Sequence, residues 1–243
     1  MYKRQADIFP DTAAIQRQFH HLVRIVPAGG RLIVNGEDAR LDEVLAMGCW
    51  TAVERFAIDR DAEWQAREVA ADGSAFALWH RGSRVGDVHW NLFGRHSVMN
   101  ALAAIAAAAA VGVAPAVALA ALPGFASARR RMEVVGRIAG ITVYDDFAHH
   151  PTAIATTLAG LRARVGAARI LVGMEPRSNS MRLGAHAAEL APSLRDADRV
   201  VFLQRPELPW DAAQVTAALL GRGTAAPTVE VLLNLLAAEA VDG

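Results

Sequence analysis

Between Ser97 and Ala128 the chain carries no charged residue. A run of that kind belongs in a bilayer or in a protein interior, because water offers it nothing but hydrophobic cost. Gly112 and Pro115 divide it, and alanine dominates over leucine. Each half is therefore shorter and less apolar than the roughly 20 residues that a membrane span needs. The run predicts two closely packed buried helices ending near Pro123-Gly124, and the rest of the chain must provide a core for them.

The flanking sequence has the punctuation to do so. Asp11 can cap a helix running to about Val26, with Ile15, Phe19, Leu22 and Val23 on one face. Pro27-Ala28-Gly29-Gly30 ends it. Strands are predicted over 31–36 and 53–58, with a short helix over 41–47 between them. Three β-like runs follow at 64–70, 74–79 and 84–90. Asp72-Gly73 and Arg81-Gly82 separate them, a pattern of antiparallel hairpins.

A second unit begins near Ala126, so the expected domains are 1–126 and 127–243. Strands at 132–138 and 141–144 flank Ala139-Gly140. Strands at 169–174 and 199–203 then alternate with helices, and 228–231 with the tail helix forms a last pair. Such alternation argues for a parallel α/β sheet. The expected fold class is α/β throughout.

The 243 residues carry a formal net charge of zero, which gives no broad attraction to nucleic acid or an acidic membrane surface. Cys49 is the sole cysteine, so no internal disulfide forms, as suits a reducing cytosol. The start, Met1-Tyr2-Lys3-Arg4-Gln5, lacks an apolar signal core. No G-x-x-x-x-G-K-[ST], G-x-G-x-x-G or G-x-S-x-G occurs.

Chemistry concentrates in Tyr144-Asp145-Asp146-Phe147-Ala148-His149-His150-Pro151, where a predicted strand hands over to a helix. Ligands of open α/β sheets bind outside the carboxyl ends of strands. Asp145, Asp146, His149 and His150 are all capable of metal ligation, although adjacent residues of a strand point to opposite faces. The plainer alternative has one Asp capping the helix and one His packed in the loop. Glu175-Pro176-Arg177-Ser178-Asn179-Ser180-Met181-Arg182 follows another predicted strand, and Arg177 and Arg182 suit carboxylates; an ordinary polar loop is the alternative. His96 and Asn100 share a helix face. An asparagine amide suits an adenine edge, or it simply cross-links a buried helix. Arg129-Arg130-Arg131 lies at the expected domain boundary, either reaching phosphate or standing as a solvated charge run.

These segments in this order resemble the Mur ligase family. The resemblance rests on Ala6-Asp7-Ile8-Phe9, on Gln16-Arg17-Gln18-Phe19-His20-His21-Leu22, and on residues 31–38, 94–105, 130–134, 142–157 and 175–184. It implies an incomplete central ATPase domain, a mixed sheet with helices, followed by a Rossmann-like C-terminal domain truncated at its end. The UDP-sugar-binding domain and the phosphate-binding loop of the family have no counterpart in these residues. Gln5 stands where the family has a metal-binding histidine.

The implied activity is ATP-dependent ligation of the tripeptide L-alanyl-γ-D-glutamyl-meso-diaminopimelate to UDP-N-acetylmuramate, through an acyl phosphate, in cytoplasmic peptidoglycan recycling. The implied cofactors are ATP and Mg2+, with the principal metal ligands outside this chain. Carried over by motif, His96 and Asn100 contact adenine and Arg131 reaches the nucleotide phosphates. Asp146 binds ribose hydroxyls with His149 beside the nucleotide. Arg177, Ser178 and Asn179 face the tripeptide. The chain by itself is expected to be inactive. Two other classes stay open: a non-catalytic nucleotide- or peptide-binding module, and a metal-dependent hydrolase built on Asp146, His149 and His150.

Overall fold

A computed structural model of the chain describes residues 9–177, 179–184 and 186–240, without the side chains of Asn179 and Ser180. The expectations at Met1 to Ile8, Ser178 and the final three residues lie outside the described residues. The chain divides into two compact units at Ala126 and Ser127.

The first unit opens with α1 (Thr12–Ile25), whose N-terminus is closed by the Asp11 carboxylate accepting from the Ala14 N–H at 2.7 Å. Strands β1 (Arg31–Asn35) and β2 (Ala52–Ala57) flank α2 (Ala39–Ala46), capped by Asp38. Then come β3 (Trp64–Arg67), β4 (Ala75–His80) and β5 (Ser83–His89). The five form one sheet in chain order, parallel from β1 to β3 and antiparallel from β3 to β5. The predicted hairpin turns stand where Asp72-Gly73 and Arg81-Gly82 put them. Gly73 also allows backbone to pass closely: a Cβ there would meet the Gly94 carbonyl oxygen at 2.9 Å.

The uncharged run becomes α3 (Arg95–Ala110), α4 (Pro115–Ala121) and a 3-10 turn at Leu122–Gly124. Val98, Ala101, Leu102, Ile105 and Ala106 of α3 pack on Trp64, Phe76, Leu78 and Val88 of the sheet. Here the expectation of two buried helices is half met. Of α4 only Leu119 is buried, and Val117 is exposed. The α1 face differs too: Ala14 and Val23 are buried, while Phe19 and Leu22 face out. Among the described residues no helix is long and apolar enough to cross a membrane.

The second unit holds two sheets where a single one was expected. β6 (Glu133–Ile138) and β7 (Ile141–Asp145) pair only with each other, as an antiparallel ribbon around Ala139-Gly140. The parallel sheet is β8 (Leu171–Met174), β9 (Arg199–Leu203) and β10 (Gly223–Ala226), in the order β10-β9-β8. β9 is central, and its run Val200-Val201-Phe202-Leu203 is fully buried, as a parallel strand covered on both faces must be. Helices α5 (Pro151–Val165), α6 (Asn179–Arg182), α7 (Ala187–Ser193), α8 (Ala213–Ala218) and α9 (Val229–Glu239) complete it. The expected strand at 228–231 is instead the start of α9. Thr228 Oγ1 accepts from the Val231 N–H as its cap. The last strand is Gly223–Ala226, whose Gly-Thr-Ala-Ala carries no alternating pattern.

A buried carboxylate ties the first sheet together. Glu54 accepts from the Trp64 indole N–H at 2.7 Å and pairs with Arg31 and with Arg81, the latter at 2.9 Å. Burial alone would raise its pKa; the Trp64 donor and the two guanidiniums outweigh burial and hold it below the usual glutamate range. The folded chain thus keeps this charge to lower pH than the unfolded chain. Its stabilisation is complete above the ordinary glutamate pKa and is lost as pH falls through the folded value. Glu54→Gln is expected to lower unfolding free energy by about 2 kcal/mol at pH 7, read by urea denaturation with tryptophan fluorescence. The deficit should shrink in acid, where the unsubstituted chain also loses the charge.

Candidate functional site

Two sequence segments read separately prove to be one local structure. Arg130 and Met132 both adopt left-handed backbone, with φ of 60° and 49°, a conformation costing non-glycine residues about 1–2 kcal/mol each. The loop after β7 holds this turn shut. Asp146 Oδ2 accepts from the Met132 N–H at 2.8 Å, and Oδ1 accepts from the Ala148 N–H at 2.7 Å. The Phe147 N–H donates to the Arg130 carbonyl at 2.8 Å. Arg130 Nε donates to Asp145 Oδ2 at 3.1 Å, and its guanidinium lies 5.3 Å from the Phe147 ring centroid. Arg131 stands between the two left-handed residues, and its exposed side chain makes no ion pair among the described residues.

The paired Asp residues thus divide the work. Asp145 neutralises Arg130, and Asp146 braces backbone. Neither caps α5, as the plainer reading had it for one of them. That role falls to His150, whose Nδ1 accepts from the Thr152 N–H at 3.3 Å. Its ring lies edge-on to His186 with centroids 4.6 Å apart. Burial first, then the neighbouring His186, depress the His150 pKa below the ordinary histidine value, with Glu189 opposing. His149 Nδ1 lies 2.8 Å from the Phe147 carbonyl. A carbonyl only accepts, so this contact calls for a proton on Nδ1; in that tautomer Nε2 of the exposed ring is the acceptor. Among the described residues no three His, Cys, Asp or Glu side chains gather to hold a metal ion, so the hydrolase built on Asp146, His149 and His150 has no ligand set.

At the carboxyl ends of β8 and β9 lies a cleft of about 480 Å³, lined by Glu175, Arg177, Arg182, Leu203, Arg205 and Glu207 among others. The two strands run parallel and paired, Met174 against Phe202, so the loops leaving them open side by side. Glu175 bridges the loops: Oε1 accepts from Arg205 Nε at 2.6 Å, and Oε2 lies 3.5 Å from Arg177 Nε. Trp210, in the loop after β9, donates its indole N–H to the Met181 carbonyl at 2.7 Å, and its ring lies against Gly184. Arg177 therefore lines this open cleft. Ser178 lies outside the described residues, and of Asn179 only the backbone is described, as the first residue of α6. The two loops do not leave one sheet, however. The Asp146 loop follows the ribbon and the Glu175 loop follows the parallel sheet. Arg205 was missed, though its position just past the apolar run of β9 matches that of Arg177 past β8.

In the first unit, His96 and Asn100 sit on α3, four residues apart. Asn100 is exposed and its side chain makes no hydrogen bond among the described residues, while His96 is half-buried with its ring against Gly94. Gly94 caps α3 at φ 84°. Arg95 beside them is committed to Glu37 and, at 2.8 Å, to Asp59.

Residues 5–108 match the Mur ligase middle domain, and residues 130–243 match the Mur ligase glutamate ligase domain. The chain is 48% identical over 239 residues to the UDP-N-acetylmuramate--L-alanyl-gamma-D-glutamyl-meso-2,6-diaminoheptandioate ligase of Escherichia coli, covering 98% of this chain and 52% of that protein. It is 48% identical over 211 residues to the enzyme of the same name from Haemophilus influenzae, covering 86% and 46%. A solved murein peptide ligase from Psychrobacter arcticus matches with a TM-score of 0.69 and 38% identity, over 96% of this chain and 50% of that one. The chain spans about half the length of these relatives.

Two outcomes are expected from the loop geometry. Asp146→Ala removes a charged acceptor from two backbone N–H groups and should cost about 2 kcal/mol, measured by chemical denaturation. Protonation of His150 is easier in the unfolded chain, so its contribution is intact above the ordinary histidine pKa and lost as pH falls through the depressed folded value. His150→Asn keeps a capping side chain and should flatten the loss of stability between neutral and mildly acidic pH.

Proposed function

The chain belongs to the Mur ligase family, and from that premise we propose that it carries nucleotide and peptide contacts of an ATP-dependent ligase joining a murein tripeptide to UDP-N-acetylmuramate. The observation that carries this reading is the closed turn at Arg131. A guanidinium with no ion-pair partner among the described residues is held on a rigid, costly backbone by a neighbouring carboxylate. Phosphoryl transfer depends on positioned positive charge more than on covalent chemistry, and a flexible arginine would spend ordering entropy at each encounter.

In this reading Arg131 meets the nucleotide phosphates. Asp146 still has a lone pair on each oxygen beyond its two backbone bonds, and these accept the ribose hydroxyls. Asn100 offers its amide to adenine with His96 one turn earlier. His149 Nε2 faces the nucleotide as an acceptor. Arg177, with Ser178 and Asn179, orients the tripeptide so that its amine attacks an acyl phosphate and displaces phosphate. Magnesium accompanies ATP in such chemistry, where it screens phosphate charge. The described residues hold no three-ligand cluster for it, and the roles given to Arg131, Asp146 and Arg177 are those of the side chains alone.

No segment has the G-x-x-x-x-G-K-[ST] pattern that wraps phosphates in backbone N–H groups. These 243 residues by themselves are therefore expected to bind without turnover, as the binding-module reading would have it. Isothermal titration of the chain should show ATP binding that Asn100→Ala weakens about tenfold, the size of one good hydrogen-bonded contact, with no ADP released when both carboxyl and amine substrates are added. ADP release would overturn the inactivity; absence of any ATP or tripeptide binding would sink the site assignment.

A further inference from the structure

The cleft beside β8 and β9 carries more positive charge than the contacts proposed above use. Arg177, Arg182 and Arg205 line it against the two carboxylates of Glu175 and Glu207. Arg177 and Arg205 come from different loops and converge on one carboxylate, that of Glu175. Each approaches Glu175 through Nε, and neither terminal Nη pair makes a hydrogen bond among the described residues. A guanidinium held at Nε keeps its forked end for a second anion, and the fork matches a carboxylate with two parallel N–H donors.

Glu175 is well placed for this work. Its side chain is about a quarter exposed, against half for Arg205 and three quarters for Arg177. The acid is thus the inner member and the arginines the outer ones. An ordinary surface ion pair between exposed groups contributes little. One inner carboxylate shared by two outer guanidiniums instead fixes the directions in which their forks point.

Resting on the tripeptide reading of this cleft, we propose that Arg205 is a second carboxylate-recognising residue, with Glu175 the positioning residue that sets Arg205 and Arg177. The site then selects a peptide bearing two carboxylates at the bound end over one bearing a single carboxylate. Arg205 reads one, and Arg177 the other.

The test is isothermal titration of the 243-residue chain with the tripeptide and with the same peptide whose distal diaminopimelate carboxyl is amidated. Arg205→Ala is expected to weaken the tripeptide about tenfold and the amidated peptide little, the value of one charge-assisted contact. Arg205→Lys keeps the charge without the fork and should recover only part of the loss. Glu175→Gln gives the sharpest discrimination. Removing a negative charge from an anion site tightens binding if only net charge matters, whereas loss of positioning weakens it. Unchanged tripeptide binding in Arg205→Ala, or tighter binding in Glu175→Gln, overturns the inference and leaves the peptide reading standing. Failure of the unsubstituted chain to bind either peptide overturns both. A thermal melt of each variant establishes folding, and if Arg205→Ala fails to melt cooperatively, undiminished binding by Arg205→Lys overturns the inference in its place.

Discussion

One carboxylate governs the geometry of the candidate nucleotide loop. Asp146 takes a backbone N–H on each oxygen, one from its own loop and one from the Met132 turn. Without that acceptor the Met132 N–H would lose its partner in a turn already burdened by two left-handed residues. The same contact sets the height of Arg131 relative to the Asp146 loop. A role in binding hydroxyls and a role in bracing backbone are not rivals here, because a carboxylate has enough lone pairs for both. Under the proposed reading, structural and functional demands fall on the same atom group.

The second unit repeats this logic at Glu175. There the inner carboxylate orders side chains in place of backbone. At Asp146 the acid fixes the backbone beside Arg131, and at Glu175 it fixes two guanidiniums directly. Glu54 of the first unit shows the limiting case. It is buried, fully engaged by Trp64, Arg31 and Arg81, and devoted to holding the sheet. The difference is the atom engaged: Arg31 and Arg81 reach Glu54 through terminal Nη atoms, whereas Arg177 and Arg205 reach Glu175 through Nε.

Much of this was legible from residues alone. Asp11, Asp72-Gly73, Arg81-Gly82 and Ala139-Gly140 marked element ends because their constraints are local: a capping carboxylate or a residue tolerant of positive φ. The buried apolar run of β9 was equally plain. What the sequence hid was tertiary. Ribbon and parallel strands share a β-like composition, so nothing local says that β6 and β7 leave the main sheet. Gly223–Ala226 has too little side chain to carry a period. The outward Phe19 and Leu22 follow a helical spacing that normally means burial. At the site, Arg177 announced itself by its polar neighbours. Arg205 needed the knowledge that β8 and β9 lie side by side, which only pairing supplies.

The ribbon of β6 and β7 buries almost nothing. Val135 and Ile138 are more than half exposed, and Val134 and Val143 nearly so. A lone two-stranded ribbon is marginal in water, so this one depends on the residues at its mouth far more than on those along its length. Truncating the exposed Val135 or Ile138 is accordingly expected to cost the ribbon little stability. The mouth, from Arg130 to Met132 and from Asp145 to Phe147, holds the hydrogen bonds that close it.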